Sequence, residues 1–135
     1  MVRWWPEPTA GDIVWCHFPD QINPRPKPRP ALILSVFDHG APEFEVQVAY
    51  GTSQKTRTLY RGEFAIYRQL NAAAYEAANL SFDTKFNLKQ LIDLPFSTEW
   101  FSVPPAAPNG QIPKLGVLHP SMVRAVEAAY KASQS

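Results

Sequence analysis

Fourteen prolines are spread through the 135 residues, and they limit the fold more than any other feature of the sequence. Proline stops helices and interrupts internal strands. Short elements joined by long connections are therefore expected, and a bundle of long helices is not. Hydrophobic residues make up 45% of the chain and charged residues 19%, enough apolar material for one core at this length. We expect a single domain over 1–135, with an irregular lead-in over 1–10 and a proline-rich surface loop over 104–113. Trp4 and Trp5 in the lead-in are costly to leave in water and are expected to pack on the domain or a partner.

The segments between prolines read mainly as strands. In Asp12–Phe18 both alternating faces are largely apolar, which predicts a strand buried on both sides. Residues 31–37 predict a second such strand, and Asp38-His39-Gly40 a turn. Residues 43–51 alternate, with Phe44, Val46, Val48 and Tyr50 inward and Glu45 and Gln47 outward, completing a hairpin. A short strand is expected at 63–67. One or two more are expected over 81–96, with Phe82, Thr84, Phe86 and Leu88 on one face. An alanine-rich run predicts a short helix near 70–79, closed by Asn79 in a left-handed conformation. His119-Pro120-Ser121 opens a C-terminal helix near 120–132, with Ser121 able to cap it and Met122, Val126, Ala129 and Tyr130 as its packed stripe. The architecture that best hides the edges of such short strands is a mainly β, small SH3-like barrel.

Cys16 is the only cysteine, so no internal disulfide forms, and no Cys/His cluster has zinc-ligand spacing. No metal or cofactor is expected. The first residues lack the apolar run of a signal peptide, and no segment is long enough to span a bilayer. A cytoplasmic protein without membrane contact is expected. Net charge is +1, so any nucleic-acid site has to be a local patch.

One stretch concentrates such charge. In Pro24-Arg25-Pro26-Lys27-Pro28-Arg29-Pro30 each residue between two prolines is a cation. A residue before proline is held in extended or polyproline-II geometry, which spreads these three charges over roughly 12 Å at about 3.1 Å per residue. They are ordered before any anion arrives, so little entropy is lost on binding. The other readings are a stiff, solubilising spacer and an SH3 ligand, and the latter lacks a Pro-x-x-Pro pair. Lys55, Arg57 and Arg61, with Tyr60 among them, form a second basic stretch. In the expected hairpin it can lie near 25–29 and add phosphate contacts and a stacking ring; alternatively it is a solvated loop.

Gly11-Asp12-Ile13-Val14-Trp15, then Arg29-Pro30-Ala31-Leu32-Ile33-Leu34-Ser35 after a loop, resembles the N-terminal signature of the MazF/PemK (Kid) toxin family. Val48-Ala49-Tyr50-Gly51-Thr52-Ser53 resembles the end of that family's third strand, and Leu115–Leu118 before a helix its C-terminal part. The first loop differs, being proline-rich and more basic here. The resemblance implies an SH3-like barrel, a homodimer, cleavage of single-stranded RNA without a metal, and a cognate antitoxin. It also implies that Arg29 is an active-site residue with Thr52 or Ser53 as its companion. The remaining cations, Arg25, Lys27, Lys55, Arg57 and Arg61, would then be RNA-binding along with Tyr60. A guanidinium fork suits the oxygens of a reacting phosphate, whereas its pKa above about 12 makes Arg29 a poor proton carrier. His17 is either a general base or, as its strand position favours, a packed or hydrogen-bonded histidine. Two other functions stay open: a binding module without chemistry, and a protein-directed toxin like the gyrase-poisoning CcdB branch.

Overall fold

Backbone amides left over by the proline-rich segments are satisfied in one antiparallel sheet. The structure, a computed structural model, describes residues 1–18 and 27–135. In chain order these contain β1 (Asp12–Cys16), β2 (Arg29–Asp38), β3 (Phe44–Thr52), β4 (Glu63–Ile66), α1 (Ala72–Ala77), β5 (Thr84–Pro95), β6 (Lys114–Val117), a 3-10 turn (Pro120–Met122) and α2 (Val123–Ser133). The strand order is β4-β5-β3-β2-β1-β6. Pro104 and Pro113 are buried at the ends of the loop expected over 104–113, whose middle is largely exposed.

Apolar residues on both sides of β1 and β2 predict burial on both faces, and the sheet has a core on each. On one face Ile13, Leu32, Ala49, Phe64, Phe86 and Leu88 pack with α1, α2 and Leu115. On the other, Val14, Cys16, Ala31, Ile33, Val46 and Val48 pack with Leu94, Phe96 and Phe101, and Trp5 lies against them. The Val, Leu, Ile and Phe side chains among them each contribute roughly 1.5–3 kcal/mol when fully buried.

The sheet curls because its ladders are interrupted. Leu34 is the extra residue between the pairs Ile33↔Val48 and Ser35↔Gln47. Residues 88–90 loop out of β5 between Tyr50↔Asn87 and Ala49↔Leu91. Such insertions bend a strand and raise its twist. The curl does not join the edge strands β4 and β6 by hydrogen bonds. Helices lie against both edge strands. The end of α1 sits so close to Gly116 of β6 that a Cβ there would collide with the backbone of Ala77 and Ala78, and α2 packs on β4 and β5.

Three details differ from expectation. Phe82 precedes β5 and is 69% exposed, unlike the buried Thr84, Phe86 and Leu88 with which the alternation groups it. Tyr130 is 48% exposed, while Met122, Ala129 and the partly buried Val126 bring the last helix to the core. The terminal turn is capped by His119, whose Nδ1 accepts the Ser121 N–H at 3.1 Å, not by Ser121 itself. Asn79 has the expected left-handed φ of 53°. No helix among the described residues is long and apolar enough to cross a membrane.

Candidate functional site

At one end of the sheet a row of residues crosses five strands. Cys16 on β1 pairs with Arg29 on β2. The β2–β3 ladder ends with Ala31 opposite Tyr50; the same register continued two residues outward leads to Arg29 on β2 and Thr52, the last residue of β3. Thr52 in turn pairs with Lys85 on β5, and Lys85 with Ala65 on β4. Directly opposed residues of antiparallel strands share a face, which puts Arg29 and Thr52 on one face at the same end of the sheet. Both are half-buried, and Ser53 beyond them is exposed.

Gly51 makes this closeness possible. A Cβ there would lie 2.7 Å from the Pro30 carbonyl oxygen and 2.9 Å from the Phe86 ring. Only glycine lets β2 approach β3 so tightly next to Arg29. One step inward, Tyr50 meets Phe18 with ring centroids 4.5 Å apart. The Thr52 hydroxyl accepts the Gln54 N–H at 3.2 Å, which leaves its own proton available to a ligand.

Neighbours of Arg29 differ sharply in chemistry. Cys16 is buried, and burial pushes its thiol up to about 12. It stays protonated at neutral pH and is inert as a nucleophile. His17, one residue on, hydrogen-bonds through Nε2 to Ser102 Oγ at 2.9 Å, and its backbone N–H donates to the Trp100 carbonyl at 2.7 Å. This is the hydrogen-bonded histidine that its strand position favours. Trp100 packs on the second core, and Phe101 is buried within it.

Lys85 was not singled out by the sequence. Its ammonium donates to Glu63 Oε1 at 3.1 Å and to the Thr58 carbonyl at 3.0 Å. Its side chain is 7% exposed and that of Glu63 9%. Tyr60, itself mostly exposed, lies with its ring centroid 5.2 Å from the same ammonium. The expected stacking ring therefore already has a cation against it. Lys85 anchors the 53–62 loop to β4 and β5.

The second basic stretch is divided. Lys55 is exposed with φ 51°. Arg57 turns toward the start of β5, 3.6 Å from Asp83 and 4.6 Å over the Tyr67 ring. Arg61 goes elsewhere: its neighbour Gly62 lies against Lys89 and Ser133, at the opposite end of β4 from Ile66. Lys27 is exposed beside β2, and Arg25 falls outside the described residues. Among the described residues no group of three or more His, Cys, Asp or Glu side chains is placed to hold a metal ion.

This geometry sits on a fold already seen in a nuclease. A solved endoribonuclease, in complex with its cognate antitoxin and from a mycobacterial species, matches with a TM-score of 0.55. The match covers 95% of each chain at 15% sequence identity, so what the two share is the fold. No family model matches the sequence, and no curated protein does. The likeness bears out the mainly β, curled-barrel architecture expected from the strand pattern.

Proposed function

We propose that this chain is the toxin of a toxin–antitoxin pair, of MazF/PemK type, and that it cleaves single-stranded RNA by attack of a 2′-hydroxyl without a metal ion. The observation that carries the proposal is the juxtaposition of Arg29 and Thr52 at the open end of β2 and β3, on a fold shared with an endoribonuclease. The 2′-oxygen bonds to the adjacent phosphorus while the 5′-oxygen departs with a proton, leaving a 2′,3′-cyclic phosphate and a 5′-hydroxyl. Negative charge builds on the non-bridging oxygens. The Arg29 guanidinium holds two of them. The hydroxyl of Thr52 or Ser53 donates to an oxygen or orients the 2′-hydroxyl. Lys27 and Lys55 flank this point as exposed cations and bind neighbouring phosphates.

The antitoxin in the complex of the similar endoribonuclease supports an antitoxin as partner here. The resemblance to the MazF/PemK family carries with it a homodimer, which sedimentation of the purified chain tests. For the chemistry, purified protein is incubated with single-stranded RNA in EDTA. Cleavage with cyclic-phosphate ends is expected, blocked by a 2′-deoxy sugar at the cut nucleotide and lost in Arg29→Ala. Failure of well-folded protein to cut any RNA overturns the proposal. Salt-dependent RNA binding without cleavage would make the chain a binding module, and growth arrest with intact RNA would point to a protein target.

A further inference from the structure

The row that holds Arg29 and Thr52 continues toward β4, past the end of the ladder. Ile66 pairs with Thr84. Beyond that pair, the residues leaving β4 and those entering β5 enclose a cleft of about 310 Å³. Arg57, Arg68, Gln69, Tyr75, Phe82 and Asp83 line it. The volume is at the lower end of the range for small-ligand sites, roughly 300–1,000 Å³. From this arrangement we propose that the cleft is a nucleotide subsite for single-stranded RNA, with Phe82 as its stacking platform and Arg57 and Arg68 as its phosphate ligands. This rests on the reading of the chain as RNA-directed and adds where a further nucleotide is held.

Three observations carry it. Phe82 is 69% exposed, a large ring left in water at the lip of a cleft that also carries two guanidinium groups. Aromatic faces with interleaved cations are the recurring solution for unpaired bases. Asp83 then fixes the frame rather than cancelling it: its Oδ1 accepts the Arg68 backbone N–H at 2.7 Å and its Oδ2 lies 3.6 Å from Arg57. The Arg68 side chain is exposed, and the five donors of Arg57 exceed what one carboxylate takes. Finally, the cleft lies beyond the same end of the sheet as the proposed cutting point. From β2 to β4 is three strand spacings, about 14 Å at about 4.8 Å each, which an extended strand covers in a few nucleotides. The exposed residues Ser53 and Lys55 lie between Thr52 and Arg57 along the chain.

Abasic scanning tests this. An oligoribonucleotide containing a mapped cleavage site, made uncleavable by one 2′-deoxy sugar, is synthesised with a single abasic nucleotide at each position in turn. With the unaltered protein, one position a few nucleotides from the cut is expected to lose about tenfold in affinity, the worth of one base–aromatic stack. In Phe82→Ala that position falls silent while the others keep their effects, and Phe82→Trp restores it. Arg57→Ala and Arg68→Ala are expected to lower affinity for all the oligonucleotides alike and to flatten its salt dependence. Phe82 is too exposed for its truncation to disturb the core, and a thermal unfolding scan checks this. Unchanged affinities and an unchanged abasic profile in Phe82→Ala, with RNA cleavage intact, overturn the subsite and leave the nuclease reading standing. Loss of binding to an acidic peptide without any change toward RNA assigns the cleft to a protein and also overturns it. Absence of any RNA cleavage or binding by the unaltered protein removes the reading beneath it.

Discussion

Thr52 has a cation on either side across the sheet, and the two are built for opposite tasks. Toward β5 it faces Lys85, nearly sealed, with its ammonium donating to Glu63 and the Thr58 carbonyl. Toward β2 it faces Arg29, half-exposed at the first residue of a strand, where the cation-rich segment 24–30 joins the sheet. A charge in a sequence does not declare its role. Burial and committed partners make Lys85 part of the scaffold, and access to solvent suits Arg29 to the role proposed for it.

The largest effect should come from breaking the scaffold side. Removing one partner of a buried ion pair strands the other, typically at about 3–5 kcal/mol. Lys85→Met and Glu63→Gln should therefore each lower unfolding free energy by about that amount in urea titrations. The double replacement by apolar residues should recover much of the loss, because no bare charge remains. If Lys85→Met is as stable as the parent, the pair is not the anchor of the 53–62 loop.

Arg29→Ala should do the reverse. Losing a donor to the transition-state oxygens typically costs about 10²–10³ in turnover. Cleavage should fall by that factor with little change in the unfolding midpoint. Arg29→Lys should restore only a small part, since a single ammonium cannot replace a planar fork. Equal losses of stability in Arg29→Ala and Lys85→Met would erase the distinction between the two cations. Thr52→Val, which keeps shape and removes the hydroxyl, should cost about tenfold or less, the size of one neutral hydrogen bond.

Much of this was readable from residue order. The alternation in 12–18 and 31–37 foretold a sheet covered on both faces, and Asp38-His39-Gly40 the hairpin turn. Arg29 and Thr52 were legible as a pair only through the resemblance to the MazF/PemK family. Lys85 was not, because recognising a buried lysine requires knowing that the loop after Thr52 folds back over β5. Phe82 departs from Thr84, Phe86 and Leu88 because the alternation extends two residues before the strand begins, where no ladder enforces it. Arg61 and Arg57 are four residues apart in one loop, yet that loop spans the length of β4 and delivers them to different ends.

The smallest effect is expected at His17, and it sharpens the same contrast between placed and available groups. An imidazole acting as general base would have to release its current partner to reach a 2′-hydroxyl. Here Nε2 is engaged with Ser102 Oγ at 2.9 Å, and His17 follows Cys16, the residue that pairs with Arg29. Successive strand residues point to opposite faces, so the ring extends the side away from Arg29. His17→Gln keeps a hydrogen-bonding group of similar reach and should leave the cleavage rate and its pH profile unchanged. Its cost to stability should be about 1 kcal/mol, that of a perturbed hydrogen bond. The double variant with Ser102→Ala should lose less than the sum of the two single variants, because both perturb one shared hydrogen bond. A loss of one limb of the pH–rate profile in His17→Gln but not in Ser102→Ala would instead make His17 the proton acceptor, and the ring would have to turn to Arg29's side of the sheet during turnover.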